Sequence, residues 1–234
     1  MKDSRTLIFC DFDGTIAQRD IGYHIFHHFS GGRNDALLPD WKAGRLSTRD
    51  CLRLEAEMVH ASPTEFYRFL DDFTIDPTFP RFKELCRRNN TPLIVISEGL
   101  DCYIRYVLDR HGLGYLPLIS NIGHLENNGL RVEFPHANAT CRQCGSCKGE
   151  RMAEYRTKAA DNCQVIFVGD GYSDACAAKY ADILLAKKDL VLYCDQHLIA
   201  YNSYIDFDDV TATLIAQGFL DDNTSHKDAL GSRS

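Results

Sequence analysis

Two aspartates set two positions apart, in Asp11-Phe12-Asp13-Gly14-Thr15, have the clearest capacity for chemistry in this chain. They directly follow the apolar run Thr6-Leu7-Ile8-Phe9-Cys10. Side chains two apart in an extended segment share one side, so both carboxylates face one site. Two such acids repel each other unless a cation or a shared proton compensates. A hard divalent cation such as Mg²⁺ suits oxygen ligands of this kind. One aspartate can then attack phosphorus while the other moves protons. Gly14 lets the chain turn sharply beside a ligand. Alone, the pair also reads as an ordinary Asp-rich turn.

Three further stretches carry matching chemistry. Ser97-Glu98-Gly99 closes the apolar run Leu93–Ile96, ahead of a helical pattern marked by Tyr103, Ile104, Val107 and Leu108. Free N–H groups at a helix start favour an anion, and the Ser97 hydroxyl can add a bond to a phosphate oxygen. Ser97 as a plain helix cap is the alternative. Gly169-Asp170-Gly171-Tyr172-Ser173-Asp174 closes the run Val165–Val168. Two acids there suit a metal site; a capped turn is the alternative. Lys148 opens another helical segment, where a fixed ammonium would neutralise charge on a phosphate and on Asp11. An isolated lysine is otherwise a solvated surface group.

The elements that must position these residues are legible from patterning. Thr6–Cys10, Leu93–Ile96 and Val165–Val168 are continuously apolar and β-branched, as in strands covered on both faces. Ile183–Ala186 and Leu118–Ser120 are weaker strands of the same kind. Helical patterns lie between them, which predicts an α/β fold with a doubly wound parallel sheet. Such sheets bind ligands at the carboxyl ends of their strands, where the acidic and serine-bearing stretches fall. Residues 17–75 differ, with apolar residues at helical spacing: Ile21, Ile25 and Phe29, Leu54 and Met58, then Phe66, Phe69, Leu70 and Phe73. Ser62-Pro63-Thr64-Glu65 is a helix start, and Gly31-Gly32 a helix break. The expectation is a helical cap over 17–75, inserted after the first strand of a core made of 1–16 and 76–230. Glu126-Asn127-Asn128-Gly129 predicts a tight hairpin. Residues 231–234 read as a cloning remnant outside the fold.

Composition narrows the classes. A length of 234 residues allows one ordinary domain and a small second one, and the 44% hydrophobic and 25% charged fractions are those of a globular protein. No long uncharged apolar run predicts a membrane span. The first residues lack the apolar stretch of an export signal, so a cytoplasmic location is expected. The net charge of -7 argues against a nucleic-acid partner, though not against a small anionic substrate. Ten cysteines without an export signal point to reduced thiols or metal rather than a disulfide framework. Cys10, Cys86, Cys102, Cys163, Cys176 and Cys194 are scattered, and most are expected to be small buried side chains. Cys141-x-x-Cys144-x-x-Cys147 is regular enough for a structural Zn²⁺, with His136 or another cysteine as fourth ligand. A loop of reduced thiols that positions Lys148, or a disulfide, are the alternatives. His24, His27 and His28 have no matched ligand partner and are expected to be packed or solvated.

Taken as a set, Asp11-x-Asp13-Gly14-Thr15, Ser97, Lys148 and Gly169-Asp170-x-x-x-Asp174 resemble the haloacid dehalogenase superfamily of phosphohydrolases, over essentially the whole chain. The resemblance implies Asp11 as nucleophile and Asp13 as general acid/base. It implies Mg²⁺ held by the Asp11 carboxylate, the Asp13 backbone carbonyl and Asp170, with Asp174 ordering the metal's water. Ser97, Glu98 and Gly99 with their backbone N–H groups, and Lys148, would hold the phosphoryl group of a small phosphorylated metabolite. The helical insertion is similar to the cap of the phosphoserine-phosphatase-like branch. Val132-Glu133-Phe134-Pro135-His136 followed by the cysteine triplet and Lys148 resembles the 2-hydroxy-3-keto-5-methylthiopentenyl-1-phosphate phosphatases of methionine salvage. The chain departs from them at Glu98, where they tend to have glycine, and at Gly149-Glu150 in place of Pro-Ser. In phosphoserine phosphatases an acid near Asp20 faces the substrate amine, which keeps phosphoserine, phosphoethanolamine and phosphocholine as alternative substrates. Asp20 also reads as a helix N-cap. Arg45, Arg49 and Arg53 read as a solvated helix face that can lend a cation. A zinc-binding regulatory protein with a vestigial site ranks below all of these.

Overall fold

A computed structural model describes residues 6–137, 140–159 and 162–222. The tail at 231–234 and the first five residues lie outside the described residues. Seven strands form one sheet in the order β4-β3-β2-β1-β5-β6-β7. They are β1 (Thr6–Cys10), β2 (Leu93–Leu100), β3 (Leu118–Glu126), β4 (Gly129–Glu133), β5 (Gln164–Gly169), β6 (Ile183–Ala186) and β7 (Asn202–Ser203). All neighbours pair parallel except β3 and β4. The expected doubly wound sheet is therefore present, with an antiparallel hairpin at one edge.

Alternation along the central strand divides the core. Ile8 and Cys10 of β1 join one apolar cluster, and Leu7 and Phe9 join another on the opposite face. All four are fully buried, which is why the run shows no polar alternation. The helices α5 (Phe79–Arg88), α6 (Asp101–Arg110) and α10 (Phe207–Ala216) cover the first face. The helices α7 (Lys148–Lys158), α8 (Ala175–Ala178) and α9 (Lys188–His197) cover the second.

Between β1 and α5 run α1 (Ile21–Ser30), α2 (Leu38–Lys42), α3 (Thr48–Glu57) and α4 (Pro63–Leu70). Their ends follow local chemistry. Asp20 caps α1 by accepting from Tyr23 N at 2.8 Å, and Gly31 ends it at φ 65°. Ser62 and Glu65 form the expected capping box at α4. The insertion leaves and rejoins the sheet side by side: Ala17 bridges Ile75, Gln18 N donates to Thr74 O at 3.2 Å, and Asp76 N to Ile16 O at 2.8 Å.

Two strands run longer than patterning predicts. β2 continues through Ser97-Glu98-Gly99 to Leu100, with a register irregularity between Ile96 and Leu100. β3 continues to Glu126, and the hairpin closes through Asn127 (φ 51°) and Asn128 (φ 58°). Positive φ at both central residues matches the twist of the flanking strands. Polar residues inside these extensions hid them from an apolar-run criterion. The hairpin supports the insertion, since His60 bridges Gly129 and Ala61 N donates to Asn128 O at 3.0 Å. Among the described residues no helix is long and apolar enough to cross a membrane.

Candidate active site

Strand order converts distant sequence into one site. β1 lies between β2 and β5, so the loops after these strands open on the same edge, where the chain switches direction. Asp11 follows β1, Ser97-Glu98-Gly99 ends β2, Asp170 follows β5, and Lys148 opens α7. They meet beside a cleft of about 480 Å³ between the sheet edge and α1–α3.

Lys148 is the hub of the polar end. It is fully buried, yet its Nζ donates to Asp11 Oδ1 at 2.6 Å and to Asp174 Oδ1 at 2.5 Å. Burial alone would lower the lysine's pKa, but the two carboxylates hold it above its ordinary value. Asp174 Oδ2 accepts from the backbone N of Asp170 and of Gly171, at 2.9 and 3.0 Å. Asp170 Oδ2 accepts from Lys188 Nζ at 2.8 Å. Burial and the charge of Asp174 push both Asp11 and Asp170 upward. Carboxylate oxygens of Asp11, Asp170 and Asp174 lie within 4.8 Å of one another. Three carboxylates face two ammonium groups, so the cluster keeps a net negative charge with oxygen donors only. That donor set fits a hard divalent cation.

Asp13 points to the other side. Its Oδ1 accepts from Ile21 N at 2.8 Å and Gly22 N at 3.2 Å, at the start of α1. Its Oδ2 accepts from Tyr103 OH at 2.6 Å. Burial, then the nearby charge of Asp20, raise it to about 7 despite these bonds. Gly14 sits at φ +73°, and a Cβ there would lie 2.2 Å from Asp170 Oδ2. A Cβ on Gly99 would fall 1.8 Å from Tyr103 OH and 2.8 Å from Asp13 Oδ2. Gly99 thus makes room for the Tyr103–Asp13 bond. Ser97 Oγ accepts from Gly99 N at 2.8 Å and lines the cleft with its hydroxyl hydrogen still to place.

Glu98, expected at the phosphate contact, also bonds away from the cleft. Although it borders the cleft, its Oε2 accepts from Gly145 N at 2.9 Å and Ser146 N at 3.3 Å. The acid that departs from the family pattern thus anchors the cysteine loop just ahead of Lys148. Burial raises it to about 7.

Asp20 is both an N-cap and a wall of the cleft. The insertion adds Phe26, Leu38, Trp41 and Leu52, and one acid that patterning missed, Glu55. Burial raises Glu55 to about 7, Asn34 opposing and Asp20 reinforcing the shift. Glu55 sits on an amphipathic helix where an acid signals only a solvated face, so no sequence cue marked it. Tyr103 and Lys188 were missed for a similar reason, since each joins the site only through tertiary approach. Arg45, Arg49 and Arg53 do not line the cleft: Arg45 pairs with Asp40, Arg49 with the carbonyl of Arg142, and Arg53 with Asp50. His24 packs beside Phe73 and the exposed His28 stacks 4.4 Å from Phe69, as expected, whereas the exposed His27 has a carboxylate neighbour that the sequence did not indicate, Asp35 at 3.2 Å.

Cys10, Cys86, Cys163 and Cys194 are buried thiols, and Cys102 is half-buried. Cys176 departs from that group. Its sulfur lies with those of Cys141, Cys144 and Cys147, all four within 4.8 Å of one another, whereas His136 stays outside the cluster.

The haloacid dehalogenase-like hydrolase family matches residues 8–179, and the chain belongs to it. Its curated relatives include phosphatases. It is 25% identical over 217 residues to a 2-hydroxy-3-keto-5-methylthiopentenyl-1-phosphate phosphatase of Brevibacillus brevis, covering 90% of this chain and 95% of that one. It is 28% identical over 229 residues to a polyol phosphate phosphatase of Saccharomyces cerevisiae, covering 90% and 92%. Its fold is that of a phosphoserine phosphatase solved as a phospho-aspartyl intermediate analogue, with a TM-score of 0.68, 17% identity, and coverage of 91% and 99%.

Proposed function

We propose that the chain is a Mg²⁺-dependent phosphatase that works through a phosphorylated Asp11. The carrying observation is the meeting of Asp11, Lys148, Asp170 and Asp174 at one end of the cleft, with Asp13 fixed beside it. Asp11 attacks phosphorus and the bond to the ester oxygen breaks. The leaving alcohol takes its proton from Asp13, whose pKa of about 7 keeps a usable protonated fraction near neutrality. Asp13 then removes a proton from water, which attacks the phosphorylated Asp11 and releases phosphate. Lys148, Ser97 and the N–H groups of the Ser97–Gly99 segment orient the phosphoryl oxygens. Asp11, Asp170 and the Asp13 carbonyl would hold Mg²⁺, with Asp174 ordering its water. When bound, the ion offsets charge on the transferring group.

Residues 17–75 act in this reading as a cap over a core of 1–16 and 76–230. The paired crossing at Ala17 and Ile75 supports that boundary. Asp13 binds the first turn of α1, so cap position and acid position are linked.

The cap side of the cleft sets the substrate. Two raised acids, Asp20 and Glu55, stand beside Phe26, Leu38, Trp41 and Leu52. The cap contributes one cation there, Lys42. This wall suits a small leaving alcohol that is hydroxylated and partly apolar, and it disfavours a second anionic group. Substrates of the 2-hydroxy-3-keto-5-methylthiopentenyl-1-phosphate and polyol phosphate type fit best. Phosphoethanolamine and phosphocholine come next because the acids can meet a cation. Phosphoserine ranks below them, since its carboxylate would face Glu55. Mg²⁺-dependent phosphate release across such a panel tests the order. Faster turnover of phosphoserine than of every uncharged ester would reverse it.

Two variants probe the acids. Asp13→Asn should slow turnover about 10²–10⁴-fold, with a poor leaving group affected more than an activated aryl phosphate. Equal slowing of both esters would remove Asp13 from proton transfer to the leaving group. Glu55→Gln tests burial of charge. The folded-state pKa of about 7 lies above the ordinary 4.5, so the native state holds the proton more tightly and stability falls as pH rises through this window. Glutamine removes the penalty. The variant should be more stable by about 1–3 kcal/mol at pH 8, with the gain vanishing near pH 4.5. Parallel melting curves for both proteins across that range would mean that Glu55 titrates normally.

A further inference from the structure

We propose that Cys141, Cys144, Cys147 and Cys176 bind one Zn²⁺ as a four-thiolate site that clasps the Lys148 helix to the Asp174 segment. The four sulfurs converge from two separate stretches, within 4.8 Å of one another, and Cys144 Sγ lies 3.7 Å from Cys176 Sγ. A tetrahedron with Zn–S of about 2.3 Å has sulfurs about 3.8 Å apart. The spacing is thus that of ligands around one ion, and too long for a disulfide bond. Cys144 N donates to Cys141 Sγ at 3.4 Å, the kind of backbone bond that stabilises a thiolate. Cys144 and Cys147 are buried, at 6% and 3% exposure.

The loop needs such a centre. Residues 140–147 form no helix or strand, so few backbone bonds hold them. Glu98 fixes the middle of the loop through Gly145 and Ser146. Cys147 is the N-cap position of α7, immediately before Lys148. Cys176 is the second residue of α8, two after Asp174. An ion held by both would fix the two backbones whose side chains meet in the Lys148–Asp174 pair. The cap rests on the same loop, because Arg49 N donates to Gln143 O at 3.3 Å. Zinc here is a positioning element for the phosphatase site, not a participant in phosphoryl transfer.

Metal analysis of the full chain, purified under reducing conditions with Mg²⁺ present, should find one zinc per chain. Mercurial titration of the thiols should release it to a metallochromic indicator. Replacement by Co²⁺ should give thiolate-to-metal charge-transfer bands and the intense visible absorption of a tetrahedral sulfur site. Cys176→Ser should weaken zinc binding by more than about 100-fold, beyond the usual cost of losing a supporting contact. His136→Ala should leave it unchanged. Asp11→Asn, inactive under the phosphatase reading, should keep its zinc, so binding is scored independently of that reading. Failure of the reduced wild-type chain to bind added Zn²⁺ would overturn the proposal. So would a disulfide among these four residues in freshly purified protein, or full affinity in a folded Cys176→Ser variant. If that variant does not fold, the Co²⁺ spectrum of the wild type decides, because three sulfurs with a nitrogen ligand give a weaker charge-transfer envelope than four.

Discussion

Asp11→Asn is expected to lower kcat by about 10⁴-fold or more, the scale of losing a covalent nucleophile, while the protein still folds. The amide is nearly isosteric and keeps an oxygen that accepts from Lys148, so the buried contact at 2.6 Å survives. One negative charge leaves a cluster of three carboxylates, which relieves repulsion rather than adding it. Thermal stability should therefore stay level or rise. Single-turnover phosphate release and a melting curve on the same preparation separate the two effects. Near wild-type release with an unchanged melt would end the covalent mechanism through Asp11. An acid-stable phosphoenzyme from a variant slowed at the second step, such as Asp13→Asn, should carry its phosphate on Asp11.

Lys148→Met is the second large effect, and it acts on both stability and rate. The ammonium is fully buried and bonds two carboxylates. Removing one partner of a buried pair leaves charge uncompensated and costs about 3–5 kcal/mol. The loss should be greatest without divalent cation, and Mg²⁺ should recover part of it by neutralising Asp11 and Asp174. Turnover should fall about 10²–10³-fold even where Mg²⁺ restores the fold, because the charge facing the phosphoryl oxygens is gone. Arginine is not expected to rescue, since a planar fork needs more room than a compact ammonium. Denaturant unfolding with and without Mg²⁺, beside steady-state rates, reads both consequences. A variant as stable and active as the wild type would make Lys148 a bystander.

Glu98 and Cys176 mark a limit of motif reading. Glu98 is itself an expected phosphate-loop position and Cys176 stands two residues after Asp174, yet both also reach the cysteine loop. Glu98 reaches Gly145 and Ser146 across 47 and 48 positions of sequence. Cys176 meets Cys144 across 32. Spacing identified Cys141-x-x-Cys144-x-x-Cys147 as a possible ligand set, but nothing near Cys176 separates it from the buried thiols.

The sequence alone determined the central strands, most of the helical stretch between β1 and α5, and the motif residues, because each is written in local chemistry, whereas the two-residue β7 was not legible. Continuous apolar runs specify the central parallel strands, periodic apolar residues and a capping box specify α1, α3 and α4, and two asparagines specify the hairpin, whereas α2 carries no such pattern. The tertiary structure decided what those residues touch. Strand order put Asp11, Ser97 and Asp170 on one edge, and burial then assigned their partners: Lys148 to Asp11 and Asp174, Tyr103 and the start of α1 to Asp13, Asp20 and Glu55 to the wall lined from α1–α3. Those pairings arise from packing across the sheet and from the need to satisfy each buried charge. Neither condition leaves a trace in residues next to one another along the chain.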